Sequence, residues 1–151
     1  MKHLLLLVFV LLSTVTFAQK HVHKKHKCEH KNQFVGTVWK INTVLGVKYD
    51  DSYTFTKFDE NKLNFGNFIE FVDSVNFKSY NKAQCGNDCF VTVTGTYFLH
   101  ENNIISFSVD IVGYTGMCKI KDEKRGENET FYSMEINDDD ITLTKVEKDD
   151  K

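Results

Sequence analysis

Between residues 35 and 147 apolar and polar side chains largely alternate, with short polar clusters at intervals. A period of two puts every second side chain on one face. Such a chain can bury one side of a pleated strand, but not one stripe of a helix. The residue types agree. Val, Ile and Thr abound after residue 18, while leucine occurs there only at 45, 63, 99 and 143 and alanine only at 83. β-branched and aromatic side chains suit a half-buried pleated surface, whereas Leu and Ala favour helices. Proline is absent, so every position can donate to a strand ladder.

The alternation predicts eight strands, near 35–44, 52–58, 63–72, 74–80, 90–99, 104–114, 130–137 and 141–147. In the first, Val35, Thr37, Trp39 and Ile41 share a face. The second aligns Tyr53 with Phe55, the third Leu63, Phe65, Ile69 and Phe71, and the fourth Val75 with Phe77. The fifth aligns Val91, Val93, Gly95, Tyr97 and Leu99, and the sixth Ile105, Phe107, Val109 and Ile111. Polar turns separate them, among them Glu101-Asn102-Asn103 and Asn137-Asp138-Asp139-Asp140. One wet and one apolar face per strand is the mark of antiparallel sheets. The expected fold class is all-β: an eight-stranded antiparallel up-and-down barrel, with a two-sheet sandwich as the rival.

The two ends of the chain differ from this body. Met1-Lys2-His3 is a short basic start, Leu4–Leu12 is wholly apolar, and Ser13–Ala18 ends in small residues. This is the plan of a secretory signal peptide over 1–18, cut before Gln19. The stretch Leu4–Ala18 is shorter than the ~20 residues of a spanning helix. The product is therefore expected to be secreted or periplasmic, with no transmembrane segment in the mature chain. Residues 19–33 read as a flexible His- and Lys-rich tail, 34–147 as the barrel domain and 148–151 as a charged end. The tail carries five Lys and one Glu. Residues 34–151 carry 13 basic and 20 acidic side chains, and that acidic body speaks against a nucleic-acid partner.

Short motifs carry a family resemblance. Phe34-Val35-Gly36-Thr37-Val38-Trp39-Lys40-Ile41 resembles the opening strand of bacterial lipocalin-like (calycin) domains. Gly95-Thr96-Tyr97 with Asn103-Ile104-Ile105-Ser106-Phe107 is similar to their mid-barrel hairpin. Phe131-Tyr132-Ser133-Met134-Glu135-Ile136 through Ile141-Thr142-Leu143-Thr144 is similar to their closing hairpin. The resemblance implies an up-and-down barrel with a lipophilic pocket. The segment Asn87 to Gly95, with Thr115-Gly116-Met117-Cys118, also resembles the small exported META or heat-shock-protein J-like domain, a mostly β module without established enzyme chemistry.

Candidate sites follow. Trp39, Tyr53, Phe55, Phe65, Phe77, Tyr97 and Phe107 would face a barrel interior, as core or as contacts for a small hydrophobic molecule. His21, His23, His26, Cys28 and His30 cluster in the tail, where imidazole and thiolate suit Cu, Ni or Zn. Lysines interleave with them, and a plain basic tether is the simpler reading. No other cofactor is expected. Export would favour disulfides among Cys28, Cys85, Cys89 and Cys118. Pairing strands five and six about Asn102 places Cys118 beside Cys85. This favours Cys85–Cys118, leaving Cys28–Cys89 or two free thiols; the rival is Cys85–Cys89 with Cys28–Cys118. Recognised catalytic motifs are absent and His100 is the only histidine after the tail, so the chain is expected not to be an enzyme. Two functions stay open. One is an exported lipocalin-like module holding a small hydrophobic ligand. The other is a non-enzymatic envelope interaction or structural protein, with a filled barrel and a metal-binding tail.

Overall fold

The structure, a computed structural model, describes residues 32–58, 65–85, 88–126 and 128–147. The expected signal peptide, residues 19–31 of the tail with His21, His23, His26, Cys28 and His30, and the end 148–151 lie outside the described residues. Those residues hold nine strands and no helix: β1 (Thr37–Ile41), β2 (Ser52–Lys57), β3 (Gly66–Phe71), β4 (Asn76–Lys82), β5 (Cys89–His100), β6 (Ile104–Gly116), β7 (Glu123–Lys124), β8 (Glu129–Asn137) and β9 (Asp140–Val146). Eight correspond to the strands read from the alternation; the two-residue β7 falls in what reads as a polar loop.

All nine belong to one antiparallel sheet, ordered β5-β4-β3-β1-β2-β9-β8-β6-β7. Pairing of β5 with β6 closes eight of them into a ring, and β7 attaches to β6 outside it. The two-sheet sandwich is thereby set aside. The strict up-and-down order also needs correction. β1 pairs with both β2 and β3, and β2 pairs with β9. β3 therefore lies beyond β1 rather than beside β2. Alternation fixes which face of a strand is buried, but not its lateral neighbour.

Inward side chains fill the ring. Tyr53, Phe55, Ile69, Phe71, Phe77, Val93, Tyr97, Ile105, Phe107, Tyr132, Ile141 and Leu143 are buried in one core cluster. Aromatic rings run through it, with centroid separations of 4.7 Å for Phe71–Tyr97, 5.2 Å for Phe77–Phe107, 6.1 Å for Phe107–Tyr132 and 5.5 Å for Tyr53–Tyr132. Contacts of this kind combine large apolar burial with edge-to-face attraction.

Residues flanking β1 pack into the two ends of the ring. Before it, Phe34 is buried with its ring 4.7 Å from that of Phe71. After it, the connection to β2 folds inward and buries Val44 and Leu45. Gly46 follows at φ +89°, where a Cβ would lie 2.5 Å from Val109 Cγ2 and 2.9 Å from Val93 Cγ1. Only glycine allows the loop so close to these valines.

Two irregularities shift side chains from their expected faces. In the β5–β6 ladder Gly95 faces Val109 but Thr94 faces Ile111, so Asp110 is an extra residue on β6. Such a bulge reverses the alternation beyond it. Val112 is buried as a result, while Ile111, expected inside, is 41% exposed. In β3, Gly66 at φ +120° interrupts the strand face, and Phe65 before it is half-buried outside the core cluster. Phe68 is fully buried, yet it points away from Ile69 and Phe71. Its ring stacks on Tyr80 at 5.7 Å and meets the edge of Phe58 at 5.5 Å, a small aromatic cluster on the outer face.

Candidate functional site

Of the seven residues expected to line a ligand site, five meet in the interior: Tyr53, Phe55, Phe77, Tyr97 and Phe107 are buried in the core cluster. Trp39 is half-buried against that cluster, 6.4 Å from the Phe34 ring, and its Nε1 donates to Thr37 Oγ1 at 2.9 Å. Phe65 does not join them. Sequence reading missed Tyr132, which completes the set.

A ligand-holding interior needs polar groups free to orient a guest. Here the buried tyrosine hydroxyls serve the loops. Tyr53 Oη donates to the Lys48 carbonyl at 2.8 Å and accepts from the Asp50 amide at 3.1 Å. Tyr132 Oη donates to the Asp50 carbonyl at 3.2 Å. Tyr97 Oη donates to the Asp73 carbonyl at 2.7 Å and accepts from Asn32 Nδ2 at 2.8 Å. Burial pushes the phenols of Tyr53, Tyr97 and Tyr132 above their ordinary range, because the ionised form loses its water. The Tyr53 and Tyr132 hydroxyls therefore hold the β1–β2 connection, and the Tyr97 hydroxyl holds the β3–β4 turn. That turn is closed by the Asp73 carboxylate, which accepts from the amides of Val75 and Asn76 and from Asn76 Nδ2. These donors, the Asn76 side chain foremost, pull the Asp73 pKa down. Among the described residues no buried side-chain polar atom lacks a partner.

The outer face carries the remaining chemistry. Ser106 on β6 is fully buried beneath His100 and Glu129. Its hydroxyl donates to Glu129 Oε1 at 2.6 Å. A hydroxyl has one proton, so the 2.7 Å contact to His100 Nε2 makes that nitrogen the donor. A nucleophilic serine would instead donate to the imidazole, so the order here is reversed and the oxygen is covered. The trio forms a polar chain on the outer face. Beside it lies an open depression of about 410 Å³ lined by Glu129, Phe131, Lys145 and Val146. His100 borders the Glu101-Asn102-Asn103 turn, and the alternation of Ile105 and Phe107 implies that Ser106 faces outward. It gives no sign that they share a partner in Glu129.

The disulfide joins Cys89 to Cys118, with Cα atoms 4.6 Å apart, and Cys85 is a free, exposed thiol. The favoured Cys85–Cys118 pairing and its rival Cys85–Cys89 are both corrected. The bulge moves the register by one, and Gly116 at φ +76° turns the chain back, so that the Met117 amide donates to the Asp88 carbonyl at 3.2 Å. Cys118 thus folds toward the start of β5 instead of running on beyond it. Cys28 lies outside the described residues. No group of metal-ligating side chains occurs among the described residues, and no helix among them is long and apolar enough to cross a membrane. No family model matches the chain, and no curated protein or solved structure matches it either.

Proposed function

We propose that this protein is a non-enzymatic, extracytoplasmic interaction module, a closed β-barrel with a filled interior that presents its outer surface to a partner. The observation that carries this reading is the engagement of the Tyr53, Tyr97 and Tyr132 hydroxyls by loop backbone, within a continuous set of packed rings. A guest would have to displace both rings and loops. The Cys89–Cys118 disulfide fits an oxidising compartment, in line with the leader-like start. The tail histidines, with Cys28, remain candidates for Cu, Ni or Zn in this reading.

The test is uptake of an apolar fluorophore, with displacement by fatty acid, in the wild type and in Trp39→Ala. The filled barrel takes up none. A lipocalin-like module holding a small hydrophobic ligand is the second reading, favoured by Trp39, which is half-buried where the core residues are closed off. Saturable uptake that is lost in Trp39→Ala would establish it in place of the first.

A further inference from the structure

The β5–β6 hairpin is longer than the ring it closes. β4 pairs with β5 as far as Thr92, and β8 pairs with β6 as far as Ser108, but the β5–β6 ladder runs on to Cys89 and Gly116. This extension ends in the turn closed by the Cys89–Cys118 disulfide, and the cross-link limits how far the turn can deform. Just past it lie Met117, 69% exposed, and Ile120, 56% exposed, the two most exposed large hydrophobic side chains among the described residues. Exposed lysines interleave with them at 119 and 121, and Lys124 follows on β7. Asp88, Asp122 and Glu123 are the acidic groups nearby. Asp122 accepts from the Tyr114 amide, and Glu123 pairs with Arg125 at 3.0 Å.

Charge is distributed unevenly between the two ends of the ring. Antiparallel order puts the β3–β4, β5–β6 and β8–β9 turns at the end opposite this tip. Those turns carry Asp73, Glu101, Asp138, Asp139 and Asp140, whereas at the tip's end Asp50, Asp51, Glu129 and Glu147 are offset by Lys48, Lys82, Lys145 and the tip's own lysines. An anionic plane would repel the acidic end more than the balanced one, which orients the molecule tip first and leaves Lys119 and Lys121 to make the local contacts.

We propose that the tip of the β5–β6 ribbon docks on an anionic lipid surface, with Met117 and Ile120 entering the headgroup layer and Lys119 and Lys121 meeting lipid phosphates. The proposal rests on the reading of the barrel as a scaffold that works through its exterior. A protein partner is less well served. Stable protein interfaces bury roughly 800 Å² per side, and a narrow convex turn with two apolar side chains falls short of that. A bilayer accepts single apolar side chains and gains from each lysine near its surface.

The test uses the full chain and reads the tip directly. Peroxide oxidation of Met117 is followed by mass spectrometry, with half-buried Met134 as internal reference. Phosphatidylglycerol vesicles should protect Met117 several-fold and leave Met134 unchanged. Phosphatidylcholine vesicles and soluble polyglutamate should not protect it. In Lys119→Gln/Lys121→Gln, half-protection should need about thirtyfold more phosphatidylglycerol. If the chain sediments with these vesicles while Met117 oxidises at its free rate, or if it fails to bind them, the proposal is overturned. Equal protection by polyglutamate would assign the tip to an acidic polypeptide and also overturn it. Fluorophore uptake would sink the filled-barrel reading without changing Met117, so the two failures are distinguishable.

Discussion

Arg125 Nη1 donates to the carbonyl of Gly46 at 2.6 Å, and Nη2 reaches the carbonyl of Val47 at 2.9 Å. The chain's only arginine thus pins the loop that enters the ring. Its own backbone is fixed by a hydrogen bond from its amide to the carbonyl of Asp110, the bulge residue of β6. A planar guanidinium can address two successive carbonyls at once; an ammonium cannot hold that fork. Arg125→Ala should therefore lower stability by about 2 kcal/mol, and Arg125→Lys should recover little of it. Urea unfolding measures the loss. Faster amide exchange at Leu45, whose N–H donates to Ser79 Oγ at 3.0 Å, would locate it in the loop.

Gly46→Ala should be worse than a typical loop substitution. The new Cβ would collide with Val93 and Val109 and would sit on a backbone at φ +89°. Overpacking and left-handed strain together predict a loss of about 2–4 kcal/mol. Gly126→Ala, where an added Cβ meets nothing within 4 Å, is the control and should leave the unfolding midpoint unchanged.

The fold was largely legible because the sheet leaves one side of each strand wet. Val93 and Tyr97, Ile105 and Phe107, and Tyr53 and Phe55 all fall on the buried faces their spacing predicts. What escaped depends on single residues that break the rhythm. Asp110 adds one position to β6 and exchanges Ile111 for Val112, and nothing in its side chain announces a bulge. Phe68 reads as an outward position and is outward, yet Phe58 and Tyr80 cover it from distant parts of the chain. In the sequence the candidate interior residues, Tyr53 and Tyr97 among them, are only inward positions. That their hydroxyls are already committed to Lys48, Asp50 and Asp73 depends on loop paths that periodicity does not encode.

Thiol chemistry gives a third prediction. Cys89 and Cys118 are separated by 29 positions, so opening the link should cost up to about 3–4 kcal/mol on chain-entropy grounds. The true loss should be smaller, because the ladder between them already restrains the ribbon. Cys89→Ser and Cys118→Ser should lower the thermal midpoint by similar amounts. Cys85→Ser should not change it, and it should remove an exposed thiol open to an alkylating probe.

High pH should unfold the protein in a defined direction. Tyr53, Tyr97 and Tyr132 have phenol pKa values raised above the ordinary 10.0, chiefly by burial. Above that value the unfolded chain gives up phenolic protons that the folded chain retains. Their stabilising contribution is therefore full below about pH 10 and falls as pH rises toward the folded values, by ~1.4 kcal/mol per pH unit for each affected tyrosine. The phenolate absorbance of the buried tyrosines should rise together with unfolding. Tyr132→Phe should remove one share of this slope.

The packed interior is tested most directly by xenon pressure with methyl NMR. Dry apolar cavities of sufficient size take up the gas, and filled cores do not. The account predicts no xenon-induced shifts at the methyls of Val93, Val109, Ile105 and Leu143 in the wild type, and clear shifts at these methyls in Phe107→Ala. Saturable shifts at the same methyls in the unmodified protein would show that the ring is hollow and would contradict it.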